Sequence, residues 1–216
     1  KDLGYNREQM LILNNIDQLG QRIEPIKNSL SQISGVENVT VTGFLPVNYN
    51  RNNNTYFPTP SLDIKGTISM QQWTIDENYI ATMGMKLIEG RNFLKGKIDS
   101  TSIILNESAA KFLGGEDILE KKLYRLLDEE KHIIMEYHIV GIVKDFNFSS
   151  LREPVKPLAF LYGSDKGGMT LKINTADIPS LLSTIETQWK SLAPDLPFEY
   201  SFMDTDFDNV YKGERQ

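Results

Sequence analysis

Few residues in this chain have the type and spacing for covalent or metal chemistry. It contains no Cys and only two His, which removes thiolate nucleophiles, disulfides and Cys-based zinc or iron–sulfur sites together. His132 and His138 lie six apart in a segment that reads as a strand. They would share a face at a separation of about 20 Å, at ~3.3 Å per residue, too far to chelate one zinc. A surface or strand-packing role is the better reading of both. Asp204, Asp206, Asp208 and Asn209 repeat the opening carboxylates of a calcium loop. The sixth position is then Asn209 where Gly is needed, and the twelfth is Arg215 where a bidentate Glu is needed. The same residues read better as a helix N-terminus, with Asp204 or Thr205 as cap and Phe207, Val210 and Tyr211 as its apolar stripe.

Nucleotide and acyl-transfer chemistry find no support either. There is no G-x-x-x-x-G-K-[ST] loop, no G-x-G-x-x-G after a strand and no G-x-S-x-G elbow, while Gly114-Gly115 and Gly167-Gly168 are turn signals. The 29 acidic residues offer many carboxylate pairs, but spacing in sequence does not give spacing in space. We expect no catalytic residue, no cofactor and no metal ligand. The ten Phe, nine Tyr and two Trp mostly fall in strand-like alternation, where core packing is the default. Tyr49, Tyr56 and Phe57 are the exceptions, because the surrounding loop 47–60 is rich in Asn and too polar to bury. They are the candidates for contact with a partner, or they pack back on their own lobe.

The elements that would hold these residues can be read from periodicity. A short apolar run at 10–13 is followed by a stripe at Ile23, Ile26, Leu30 and Ile33, with Pro25 in a first turn and Gly35 as a stop, and then by alternation over 39–44. The order strand, helix, strand recurs near the end: 169–173, a helix capped by Asp177 with Ile178, Leu181, Ile185, Trp189 and Leu192 inward, and 198–202. Met10 to Val39 and Met169 to Phe198 are equal separations, so the two units look like copies of one element. Two short strands and one helix cannot close a core alone. Packed together, the halves make a split βαβ/βαβ lobe of ferredoxin-like character, with the middle of the chain inserted between them. Strands are expected there at 62–64, 67–75, 86–88, 102–105, 133–145 and 158–162, and short helices at 77–82 and 107–113, the second capped by Asn106.

The expected fold is therefore α+β with two lobes. Residues 1–55 and 152–216 form the discontinuous βαβ/βαβ lobe, and 56–151 an inserted, mainly β lobe. Both chain ends then lie on one lobe. With 216 residues, 40% hydrophobic and 24% charged, the chain has the composition of a folded domain. A net charge of −6 argues against binding nucleic acid by neutralising phosphates. No stretch approaches the ~18–20 apolar residues of a membrane helix. The chain starts at Lys1 where a whole protein would start with Met, and 1–5 and 210–216 read as cut from a longer protein.

An ordered series of residues resembles the periplasmic core domain of MacB-like ABC-transporter permeases, the MacB/FtsX family. It runs through Trp73, Tyr79, Gly84 and Gly90-Arg91-x-Phe93 to Ile103-Ile104-Leu105-Asn106-Glu107-x-Ala109-Ala110 and Leu113-Gly114. It continues through Val140-Gly141-Ile142-Val143-Lys144-Asp145-Phe146-Asn147-Phe148 to Ser150-Leu151, with flanking matches at Gly35-Val36 and over 198–211. Each piece also has its own physical reading as a turn, a cap or a buried strand, and none requires a ligand.

The resemblance implies a porter-type lobe built from both ends, a membrane helix beyond each end, and a place on the periplasmic side of the bacterial inner membrane. It implies a non-catalytic role, coupling hydrolysis of ATP by a cytoplasmic ATPase subunit or domain to transport, or to a periplasmic adaptor or carrier protein. The excised domain is expected to be monomeric. Two other classes remain: a ligand-binding module holding a peptide, lipid or sugar between its lobes, and a hydrolase with an unrecognised acidic site.

Overall fold

The structure, a computed structural model, describes residues 2–47, 52–96, 98–148 and 153–205. Among these the strands fall into two sheets. The first holds β1 (Met10–Leu13), β2 (Val36–Val41), β10 (Met169–Ile173) and β11 (Tyr200–Phe202), in the order β11-β1-β10-β2 with every neighbouring pair antiparallel. Strands from the two ends of the chain thus alternate in one sheet. Leu11 faces Leu171 on one side and Phe202 on the other. Helix α1 (Ile23–Ser31) connects β1 to β2, and α4 (Ile178–Leu192) connects β10 to β11.

The helices bury the expected stripes. Ile23, Ile26 and Leu30 of α1 and Leu181, Ile185 and Trp189 of α4 meet Leu11, Leu13, Val39, Met169 and Leu171 in one apolar cluster. Asp177 caps α4 by accepting from the Ser180 amide at 3.1 Å. Gly35 ends the α1 unit at φ +99°, where a Cβ would sit 3.2 Å from Leu181. A tight 3₁₀ segment, Ile16–Arg22, precedes α1. Strand β1 is apolar at every position because both its faces are covered. Leu11 and Leu13 point to the helices, whereas Met10 and Ile12 join Trp73, Tyr79 and Phe160 of the second unit.

The second sheet contains β3 (Asn53–Tyr56), β4 (Ile68–Ile75), β5 (Leu87–Gly90), β6 (Ser102–Asn106), β7 (Lys122–Asp128), β8 (Ile133–Val143) and β9 (Leu158–Tyr162). Their order is β3-β4-β9-β6-β8-β5, with β7 also paired to β8. The sheet is mixed: β4 with β9 and β6 with β8 are parallel, and the remaining pairs are antiparallel. Its margins meet. Phe57 and Tyr124 exchange two main-chain hydrogen bonds of 2.7 and 2.8 Å, curling β3 round to β7. Tyr56, Met70, Leu105, Leu123 and Tyr137 fill the inside with Ala109 and Ala110 of α3 (Glu107–Phe112). A single turn of helix, α2 (Tyr79–Thr82), lies on the side facing the first sheet.

Several expectations are met to within a few residues and others are not. The strand expected at 62–64 is a turn, with Leu62 at φ +57° and Ile64 82% exposed. Strands β3 and β7 had no counterpart in the sequence reading. Asn53 and Asn54 are poor strand formers, and their conformation comes from pairing with β4 and from Asn52, whose side chain donates to the Gln72 carbonyl at 2.7 Å. In β7 the adjacent Leu126 and Leu127 break the alternation, and its register is set by β8. Strand β9 falls within the expected end lobe 152–216, yet it lies in the second sheet between β4 and β6. The chain returns to the first sheet only at Gly163–Gly168. There Gly43 and Gly167 of the two crossings touch, and Asp165 accepts from both amides at 2.7 and 3.0 Å.

Candidate functional site

The three aromatics expected to face a partner are placed unequally. Tyr49 lies outside the described residues. Tyr56 is fully buried, packs edge-on to Tyr137 at 6.0 Å and donates its hydroxyl to the Gln72 side chain. Phe57 is half-buried and supplies the main-chain bridge to Tyr124. His138 on β8 sits 3.8 Å from Glu136, and His132 is in the β7–β8 turn at φ +54°. Asp204 accepts from the Thr205 amide at 2.9 Å, while Asp206, Asp208 and Asn209 lie outside the described residues. Among the described residues no group of three or more His, Asp or Glu is placed to hold a metal.

Two polar clusters elsewhere lock the second unit together. Asp99, fully buried, takes both prongs of Arg91 at 3.0 and 2.8 Å, the Leu94 amide at 2.6 Å and the Ser102 hydroxyl at 2.8 Å. The guanidinium holds its pKa down to about 2, with the amide and the hydroxyl adding to the effect against burial. At the start of α3, Asn106 accepts from Ala109 and Leu158 at 3.0 Å each, while the Ser108 hydroxyl donates to Asp145 at 2.7 Å. The same Ser108 hydroxyl lies 2.9 Å from the Val155 carbonyl, so it ties the start of α3 to two further segments. The residues carrying the resemblance thus converge on structure. Trp73 packs on Phe146 at 5.7 Å and Phe148 at 5.6 Å, and Phe146 stacks on Phe160 at 5.8 Å.

A third polar cluster lies at the junction between the sheets. Asp76, at the end of β4, accepts from Lys27 of α1 at 3.1 Å and from the Val41 amide of β2 at 2.8 Å through Oδ2. Its Oδ1 accepts from the Thr40 hydroxyl at 2.5 Å and the Asn78 amide at 3.0 Å. Lys27 also reaches Glu77 at 3.7 Å, and Glu77 accepts the Tyr162 hydroxyl at 3.0 Å. Lys27 and Asp76 are 6% and 8% exposed, so this is a buried ion pair joining the helix layer of one sheet to the strand end of the other. Burial pushes the Glu77 carboxyl up, but its own main-chain hydrogen bond, Lys27 and Tyr162 outweigh that and hold it below the usual range. Burial, then the bond to Glu77, pushes Tyr162 up to about 12.

The sequence reading missed this site. One signal was present: at offsets of three, four and seven from Ile23, the inward stripe of α1 reads Ile26, Lys27 and Leu30, with a cation in the middle. Beside the pair, a cavity of about 270 Å³ is lined by Glu24, Glu77, Lys95, Tyr162 and Lys166, a polar recess. The rest of the junction is filled by Met10, Ile12, Leu45, Val47, Trp73 and Tyr79.

No protein-family model matches the chain, and no curated protein matches it in sequence. Solved structures do match. The periplasmic region of MacB from Actinobacillus actinomycetemcomitans superposes with a TM-score of 0.61 at 18% identity, covering 94% of this chain and 93% of that one. This chain has the MacB-type periplasmic fold. The extracellular domain of the noncanonic ABC-type transporter YknZ from Gram-positive bacteria gives 0.54 at 15% identity over 90% and 98% of the two chains. A domain of a permease protein from Porphyromonas gingivalis gives 0.57 at 15% identity over 91% and 89%. No helix among the described residues is long and apolar enough to cross a membrane.

Proposed function

We propose that the chain is the extracytoplasmic domain of an ABC-transporter permease. It stands on the periplasmic side of the inner membrane and couples ATP hydrolysed by a cytoplasmic subunit or domain to transport or to a periplasmic adaptor or carrier. The observation that carries this reading is the end-to-end likeness to the MacB periplasmic region, over 94% of one chain and 93% of the other. Adjacent, antiparallel β1 and β11 support attachment at both ends, since they bring the start and finish of the fold together. In this reading the first sheet with α1 and α4 is a ferredoxin-like, porter-type lobe nearest the membrane, and the second sheet is the outer lobe. Its strand order β11-β1-β10-β2, fourth-first-third-second by position, is that of two interleaved βαβ units.

The role is mechanical and not catalytic, and the polar clusters fit it: each joins secondary elements and none pairs a nucleophile with a base. Partner contact falls to the outer unit, with the segment containing Tyr49 and the half-buried Phe57 as its first candidates. A ligand held between the lobes has less support, because apolar side chains occupy that space. The parent gene tests the reading directly. It should encode apolar spans of ~20 residues just outside both ends, and a topology reporter fused between them should report the periplasm. Flanks without such spans refute it. The excised domain should run as a monomer in size-exclusion chromatography with light scattering.

A further inference from the structure

The chain does not enter β1 directly. Residues Leu3–Asn6 first lie along the second unit. The Asn6 amide donates to the Met83 carbonyl at 2.7 Å, and the Asn147 amide donates to the Leu3 carbonyl at 2.9 Å. Gly4, at φ +80°, sits so close to the 145–146 backbone that a Cβ would come within 2.5 Å of the Asp145 carbonyl oxygen. Gly84, at φ +65°, makes room for Asn6, whose side-chain nitrogen would be 2.3 Å from a Cβ there. Tyr5 is sunk into the apolar cluster at 7% exposure. The chain then turns at Gln9, a non-glycine residue at φ +53°, to begin β1. Between this segment and the ends of β2 and β10 runs a groove of about 620 Å³ lined by Arg7, Glu8, Glu37, Lys172 and Asn174.

We infer that Leu3–Asn6 is a releasable strap. It fastens the start of the chain to the outer unit, while the end of the chain leaves from β11 of the first sheet. A displacement of the N-terminal end is therefore delivered to the seven-stranded unit through Met83 and Asn147, bypassing β1. The two ends of one chain pull on different sheets.

Three observations make the strap separable from the fold beneath it. It is held by two main-chain bonds, a long bond of 3.5 Å from the Asn147 side chain to the Leu3 carbonyl, and the packing of Leu3 and Tyr5, with no strand ladder. The groove lies between it and the ends of β2 and β10, and the cluster between the first sheet and its helices contains none of its residues, so lifting it leaves that cluster covered. Its anchor is imperfect, because the buried Tyr5 hydroxyl has no hydrogen-bond partner among the described residues. Neighbouring Tyr79 instead donates to the Phe44 carbonyl at 2.9 Å. A buried polar group left unpaired opposes docking, and so favours release. The mechanical purpose rests on the membrane attachment proposed above, but the strap itself does not.

Amide hydrogen exchange of the intact 216-residue chain, read by NMR, tests the inference. Asn6 and Asn147 should exchange at matching opening equilibria, at least ~10-fold less protected than Leu171 in central β10, because one local opening frees both. Tyr5→Phe should raise the protection of both by ~5-fold and leave Leu171 unchanged, since it removes only the unpaired hydroxyl. Gly84→Ala, which drives a Cβ into Asn6, should strip protection from both. Asn6 and Asn147 protected as strongly as Leu171, or Tyr5→Phe lowering their protection, would overturn the strap. Either result would leave the membrane reading standing, whereas a parent gene without flanking spans would remove that reading and leave the exchange data intact.

Discussion

Replacing Asp76 by Ala should be among the most damaging single changes outside the aromatic core. The carboxylate is 8% exposed and answers four donors: the Lys27 ammonium, the Thr40 hydroxyl and the Val41 and Asn78 amides. Removing one member of a buried ion pair costs ~3–5 kcal/mol, because the other charge stays buried without compensation. Glu77 at 3.7 Å from Lys27 softens that loss, while the orphaned Val41 amide and Thr40 hydroxyl add to it at ~1–3 kcal/mol each. A net loss of about 4 kcal/mol is expected, a large part of the ~5–15 kcal/mol that holds a domain folded. With an m-value near ~2.5 kcal/mol/M, the urea midpoint should fall by about 1.6 M. Lys27→Met should cost only ~1–2 kcal/mol, since Asp76 keeps three donors and the methionine fits an otherwise apolar stripe. In the double variant the stranded lysine is gone, so its loss should fall short of the sum of the two single losses by about 2 kcal/mol. Additivity within ~0.5 kcal/mol, or an Asp76→Ala loss below ~1 kcal/mol, would refute the reasoning that this pair is a desolvated latch.

Acid should weaken the fold through Asp99. Its folded pKa, about 2, lies below the ~3.9 of an unfolded Asp. Its contribution is therefore complete above pH ~4 and lost as pH falls toward ~2; a series of urea midpoints across that window should be flatter in Arg91→Gln than in the parent. Trp73→Ala empties the ring-packed centre at a fully buried position and should cost ~3–5 kcal/mol by equilibrium unfolding, with Trp73→Phe recovering a good part of it. Gly90→Ala should destabilise by more than ~2 kcal/mol, because the residue is at φ +76° and a Cβ would stand 2.2 Å from the Val140 carbonyl oxygen; a near-neutral unfolding midpoint would contradict that close approach. Tyr56→Phe should cost only ~1 kcal/mol by the same measurement, since Arg125 still donates to the Gln72 side chain at 3.1 Å.

What could be read from the sequence divides along a physical line. Strands such as Met10–Leu13 and Leu158–Tyr162 were visible because burial on both faces demands an unbroken apolar run, and Met169–Ile173 because its apolar residues alternate with Thr170 and Lys172, both local signatures. Helix α4 was visible for a similar reason, since its cap and its stripe lie within one segment. Strands β3 and β7 were not. Asn-Asn-Thr-Tyr and Lys-Leu-Tyr-Arg-Leu-Leu-Asp become strands through partners in β4 and β8 and through the Phe57–Tyr124 closure, contacts no local window contains. The aromatics of the 47–60 loop were misleading for the same reason: Tyr56 is internal because a sheet margin curls over it.

The junction is hidden more deeply, because Lys27 and Asp76 are 49 residues apart and belong to no motif. Yet Lys27 was detectable as an error in a pattern, a cation at an inward position of an amphipathic helix. Burying that charge is tolerable only if a carboxylate is waiting, and here the carboxylate comes from the strand end of the other sheet. The flaw in the stripe of α1 is thus the mark of a second body packed against the first. Its chemistry also says how the two are joined: by one directional, four-donor contact within a larger apolar face, which fixes their mutual orientation more sharply than apolar packing alone.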